Sequence, residues 1–108
     1  MGEPGSGAPV VLDGVVEQVL EFVTAAGLGA AGEYAASPGG AEPDLYGSAD
    51  AAAIRYILSD LPADGATRDQ WVAHLRSFQD SDGAFRHTSH NALHTTAQAV
   101  GALDLFDA

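Results

Sequence analysis

The 108-residue chain has no cysteine and no lysine. Without cysteine there is no disulfide framework, no thiolate metal site and no cysteine nucleophile. Four arginines stand against fifteen acidic residues, for a formal net charge of -11. A phosphate backbone or an anionic membrane surface is repelled by such a chain, which excludes nucleic acid as a partner class. Aromatic residues make up only 7% of the sequence. No apolar run approaches the roughly 20 residues of a membrane span, and the N-terminus lacks the basic residues and unbroken apolar core of a signal peptide. These absences predict a soluble, acidic, cytoplasmic chain, and the length is that of one small domain.

The residues present are patterned for helices. Residues 1–8 belong to a Gly/Pro/Ser-rich leader without periodicity, expected to be disordered, and residues 9–108 form the folded part. From Pro9 to Ala26, Leu12, Val15, Val16, Val19, Phe22 and Val23 recur at helical spacing, with Asp13, Glu17 and Glu21 on the opposite side. A long Gly/Pro-rich loop follows over residues 27–47. Ser48 or Asp50 is then placed to cap a second helix reaching about Leu61, with Ala53, Ile54, Ile57, Leu58 and Leu61 as its apolar stripe. Thr67 and Gln70 form a capping-box pattern for a third helix that buries Trp71, Val72, Leu75 and Phe78. A fourth helix is expected from about Asn91 to Phe106, with Leu93, Ala97, Val100 and Leu103 on one face. No strand-like alternation of useful length occurs, so the fold class is all-α.

A shift of 45 residues sets Ala52 on Ala97 and Leu58 on Leu103, a weak repeat of helical-hairpin length. A second echo aligns Gly32-Glu33-Tyr34 with Gly83-Ala84-Phe85, each a Gly-x-aromatic following an amphipathic helix. Leu75-x3-Gln79-x3-Gly83-x-Phe85, preceded by Trp71-Val72 and followed by a Thr-rich helix start, resembles the Gln-x3-Gly-x-Trp repeat of the terpenoid (squalene) cyclases and protein prenyltransferases. That resemblance covers about residues 46–108. It implies an α/α toroid, in which inner helices of about six hairpins line a cavity and outer helices wrap them. Gln79, Gly83 and Phe85 would be structural glue. The first and third helices would be outer and the second and fourth inner, about two hairpins of an incomplete ring. Such repeat units do not bury their cores alone. The expected partner is therefore the rest of a toroid or a second copy, meeting an exposed apolar helix flank, and the expected role is that of an N-terminal fragment inactive alone.

The densest chemistry lies in Arg86-His87-Thr88-Ser89-His90-Asn91-Ala92-Leu93-His94-Thr95-Thr96. His90 and His94 are four apart, a spacing that suits two imidazoles on one zinc ion, with Asp80, Asp82 or His87 as a third ligand. The favoured reading is nevertheless two exposed loop histidines, His87 and His90, and one hydrogen-bonded histidine, His94, near a helix start, so no metal or cofactor is expected. His94-Thr95 resembles the His-Thr that precedes the last inner helices of protein prenyltransferase β subunits, where the histidine binds zinc. Their Asp-x-Cys zinc ligands have no counterpart in this cysteine-free chain, which leaves His94 as a rim residue able to move a proton. Asp80-Ser81-Asp82-Gly83 matches an EF-hand loop poorly and reads as a polar turn. No nucleophile elbow surrounds Ser89 or Thr95, and no orienting acid follows at a recognisable spacing.

Tyr46 and Asp50 stand near the start of the second helix, whose free N–H groups favour anionic ligand groups. Arg55 and Arg86 are the candidate anion partners, with exposed salt bridges as the alternative. His94, His90 and Asp50 are thus the candidate catalytic residues, and Tyr46, Arg86 and Asn91 the candidate ligand contacts. A polar rim of His, Tyr, Asp and Asn also suits sugar hydroxyls, so a carbohydrate-processing toroid stays open beside a cyclase-like one, as does a non-catalytic helical interaction module.

Overall fold

The computed structural model of the chain describes residues 10–108, with side chains from residue 14 onward. The leader at residues 1–8 and the side chains of Leu12 and Asp13 lie outside the described residues. The fold is all-α: α1 (Val10–Ala26), α2 (Leu45–Ile57), α3 (Gly65–Arg76) and α4 (Ala92–Asp104). Among the described residues, extended backbone pairs only at three isolated bridges, Gly27 with Tyr34, Gln79 with Phe85, and His87 with His90. No described helix is long and apolar enough to cross a membrane.

Three helices begin in the same way. The side chains of Asp44, Asp64 and Asn91 each accept the N–H three residues on, from Gly47 (2.9 Å), Thr67 (2.8 Å) and His94 (2.8 Å). An N-cap acceptor satisfies one of the four N–H groups that a helix start leaves unpaired. This corrects two expectations. The cap of α2 is Asp44, not Ser48 or Asp50, and that of α3 is Asp64, not Thr67. Helix α2 also stops at Ile57, short of Leu61, where Ser59 takes a left-handed φ of 56° and turns the chain.

Packing departs from the stripes of large apolar residues. In α2 the buried residues are Leu45, Ser48, Ala49, Ala51 and Ala52, and in α4 they are Thr95, Ala99, Ala102 and Leu103. Ile57 is 77% exposed, Leu93 82% and Val100 53%. The two helices meet through small side chains, which lets them approach closely and leaves the larger apolar residues outside. Tyr46 reaches His94 and Thr95, and Gln98 donates to Asp50 (3.2 Å) one turn further along both helices. Contacts in the same order along both chains mean that α2 and α4 lie side by side and parallel, with their N-termini at one end. Around them the core gathers Tyr34, Trp71, Leu75, Phe85, Leu103 and Phe106, with Trp71 5.4 Å from the rings of both Tyr34 and Phe106. On α1, Val23 and Ala26 are buried, while Val15, Val16 and Phe22 are exposed.

The two Gly-x-aromatic loops share a construction. Gly32 and Gly83 both have positive φ, 81° and 91°, and in each loop a bridge ties the aromatic residue back towards the preceding helix. A hydroxyl from the following helix then holds the aromatic residue's backbone. Ser48 Oγ accepts from the Tyr34 N–H (3.3 Å) and donates to the Gly32 carbonyl (2.6 Å). Thr96 Oγ1 accepts from the Phe85 N–H (3.0 Å) and donates to the Phe85 carbonyl (3.3 Å). Caps Asp44 and Asn91, the completely buried pair Ser48 and Thr95, and the completely buried pair Ala52 and Ala99 are each 47 residues apart. Along α2 and α4 the repeat therefore runs at 47, not 45, while the Gly-x-aromatic loops before them, from Gly32 to Gly83, are 51 apart. Gln79 closes its own loop by donating to the Gly83 carbonyl (2.9 Å), and Phe85 is buried in the core.

Candidate functional site

Parallel packing of α2 and α4 brings two helix N-termini together, and the loop between α3 and α4 folds back over them through the His87–His90 bridge. Tyr46, in the first turn of α2, becomes the hub. Its ring centroid lies 5.0 Å from His87, 4.7 Å from His90 and 5.8 Å from His94. Its hydroxyl meets His94 Nδ1 at 2.7 Å and Thr95 Oγ1 at 3.0 Å. His90 and His94 stack at 4.4 Å with planes 13° apart. Near-parallel stacked imidazoles direct their lone pairs along separate planes, not onto one ion. Among the described residues no group of three His, Asp or Glu side chains is disposed to hold a metal.

Beside the stack runs a second chain of polar contacts. Asp44 divides its carboxylate, using Oδ2 to cap α2 and Oδ1 to meet His87 Nε2 at 2.7 Å. His87 Nδ1 accepts from the Ser89 backbone N–H (3.1 Å), which fixes the tautomer: the ring proton sits on Nε2 and is donated to Asp44. Ser89 Oγ lies 2.7 Å from His87 Nδ1 and 2.6 Å from His90 Nδ1. Since His87 Nδ1 carries no proton, the serine hydroxyl donates to it and accepts from His90 Nδ1–H. The network is thus His90, Ser89, His87, Asp44, with every donor used once.

Of the residues singled out from sequence, Tyr46, His90 and His94 come together as one cluster. Asn91 is beside them, but its side-chain oxygen is engaged in capping α4. Asp50 lies one turn further along α2, exposed, where partial desolvation and the neighbouring Asp44 charge raise its pKa against the lowering effect of the Gln98 hydrogen bond. Arg86 turns to the preceding turn, pairing with Asp80 (2.7 Å) and Asp82 (2.9 Å). Its hydrogen bonds, helped by the Ala84 N–H, bring the Asp82 carboxyl down to about 2, and the two carboxylates raise the guanidinium in turn. Arg55 donates to the Tyr34 hydroxyl (2.9 Å) and pairs with Asp60. Burial pulls its pKa down, but the Tyr34 contact and the Asp60 charge outweigh this and raise it. Both candidate anion partners are therefore already engaged with side chains of this chain.

Sequence reasoning missed Asp44 and the link from His87 to Ser89. Asp44 stands 43 residues before His87 inside what reads as a loop, and only its place before the apolar Leu45 could have marked it as a helix start. No family model matches this chain, and neither the curated proteins nor the solved structures contain a match to it.

Proposed function

We propose that the chain is a two-hairpin unit of an α/α ring of the terpenoid cyclase and protein prenyltransferase kind. In this reading α1 and α3 are outer helices and α2 and α4 inner ones. The unit lacks the ring's reaction when alone, and its Tyr46–His90–His94 cluster lies at the cavity mouth. The observation that carries the reading is the 47-residue spacing of cap, buried hydroxyl and buried alanine in α2 and α4, each helix preceded by a bridged Gly-aromatic loop, together with the parallel packing of the two helices. Exposed Ile57, Leu93 and Val100 on the inner pair are the apolar flank that further hairpins, or a second copy, would cover. The cytoplasm is the compartment that suits this role.

A carbohydrate-processing ring is the second reading. It is favoured by a site built from a phenol, three imidazoles and hydroxyls, with no further aromatic ring beside them among the described residues for an isoprenoid cation. Size-exclusion chromatography with light scattering and circular dichroism tests the ring unit. The expected result is a helical species that self-associates or aggregates with rising concentration and becomes less so in a Leu93→Gln/Val100→Gln variant. A monodisperse, cooperatively melting monomer at every concentration would sink the ring-unit reading, and a defined closed dimer would favour a non-catalytic interaction module.

A further inference from the structure

We propose that Ser89 is a nucleophile activated by His87 and oriented through it by Asp44, giving the α2–α4 end of the molecule an acyl-transfer site for small carboxylic esters. Three side chains that sequence separates by up to 45 positions form a continuous hydrogen-bonded chain: Ser89 Oγ to His87 Nδ1 at 2.7 Å, and His87 Nε2 to Asp44 Oδ1 at 2.7 Å. These are the contacts a general base and its orienting carboxylate need. The arrangement is also selective. Asp44 and His87 have side chains only 18% and 23% exposed, whereas Ser89 is exposed to an incoming ester. His87 is held in the tautomer whose Nδ1 carries no proton and accepts from the Ser89 N–H and hydroxyl, and Asp44 faces the imidazolium that would result from proton transfer.

The step balances without any cofactor. Ser89 Oγ forms a bond to the ester carbonyl carbon while its proton passes to His87 Nδ1. The tetrahedral adduct expels the alkoxide, which takes that proton from His87 and leaves as the alcohol. Water then attacks the acyl-serine, its proton moves through His87 Nδ1 to Ser89 Oγ, and a carboxylic acid departs. When His87 Nδ1 becomes protonated, the Ser89 N–H loses that acceptor. Helix α4 begins three residues further on, at Ala92. Asp44 touches no reacting atom and is a positioning residue.

The test uses the full chain and a fluorophosphonate probe, in which the serine oxygen displaces fluoride from phosphorus. Intact-mass and peptide mass spectrometry should find a single adduct on Ser89, formed at least tenfold faster than on the chain unfolded in urea, and p-nitrophenyl acetate should be hydrolysed. Ser89→Ala should abolish both. Asp44→Asn retains an oxygen to cap α2 but presents an amide to His87. It should slow labelling at least tenfold with circular dichroism unchanged, and it should shift the imidazole 15N resonances of His87 to the other tautomer. If Asp44→Asn does not fold, His87→Gln reads the same dependence. An adduct on Tyr46 or a histidine, labelling of Ser89 no faster than in urea, or unchanged rates in Asp44→Asn and His87→Gln would each overturn the proposal.

Discussion

Replacing Gly47 by alanine should destabilise the protein even though alanine is the better helix former. Gly47 lies in the first turn of α2, where a Cβ would stand 2.2 Å from the Ala35 carbonyl oxygen and 2.7 Å from its carbon, both backbone atoms. Ordinary contact begins near 3.4 Å, so the loop must retreat by about 1 Å. That retreat strains the two bonds which seat the loop, from Ala35 N–H to the Ala26 carbonyl (2.9 Å) and from Asp44 N–H to the Tyr34 carbonyl (2.8 Å). Each is worth about 1 kcal/mol net, overpacking commonly costs about 1–3 kcal/mol, and the helix-propensity gain returns at most about 1 kcal/mol. The balance is a loss of about 1–3 kcal/mol. Gly101 supplies the internal control, being in α4 with nothing within 4 Å of its added Cβ, so Gly101→Ala should gain about 0.5–1 kcal/mol. Thermal and urea melts followed by circular dichroism should then move in opposite directions, by roughly 4–8 °C per kcal/mol for a domain of this size. Equal or greater stability in Gly47→Ala would refute the close approach of the loop to α2.

Three further outcomes follow from the same contacts. Phe85→Ala empties a core position that is 1% exposed and should cost about 3–5 kcal/mol, read as a lower urea midpoint. Asn91→Ala removes the cap of α4 and should cost about 1 kcal/mol, with early loss of amide protection at His94 in hydrogen exchange. His74 has its pKa lowered by burial, only partly offset by the Glu33 charge, and its Nε2 is buried without a partner. Below pH 6.5 the unfolded chain takes up the proton that folded His74 resists, so stability should fall as pH drops through that range. His74→Phe should flatten this slope in Tm measured against pH.

Helix existence was legible because periodic apolar residues and polar breaks mark it, and all four expected helices are present. Their faces were not. Counting large apolar residues assigns Leu93, Val100 and Ile57 to the core, but the seam between α2 and α4 is built from Ala49, Ala52 and Ala99, whose side chains are too small to stand out in a stripe. Ser48 looked like a cap because its hydroxyl precedes an apolar run, and the true start four residues earlier was hidden by Gly47 in a Gly-rich stretch. Tyr46, His90 and His94 could be singled out because they are aromatic and imidazole side chains at or near helix starts, and the structure brings them together as one cluster. The pairing of His87 with Asp44 was not, because it depends on the parallel register of two helices, which no local pattern encodes.

The hydroxyls of Ser48 and Thr96 have a consequence for how the molecule breathes. Tyr34 N–H is bound to a residue of α2, and Phe85 N–H to a residue of α4, so neither amide exchanges with deuterium until the helix that follows it loosens. Each Gly-aromatic loop is thereby fused to the next helix as one opening unit, and the long connection before α2 should show the slow exchange of a helix at Tyr34 while the exposed Ser37, Gly39 and Ala41 amides exchange at once.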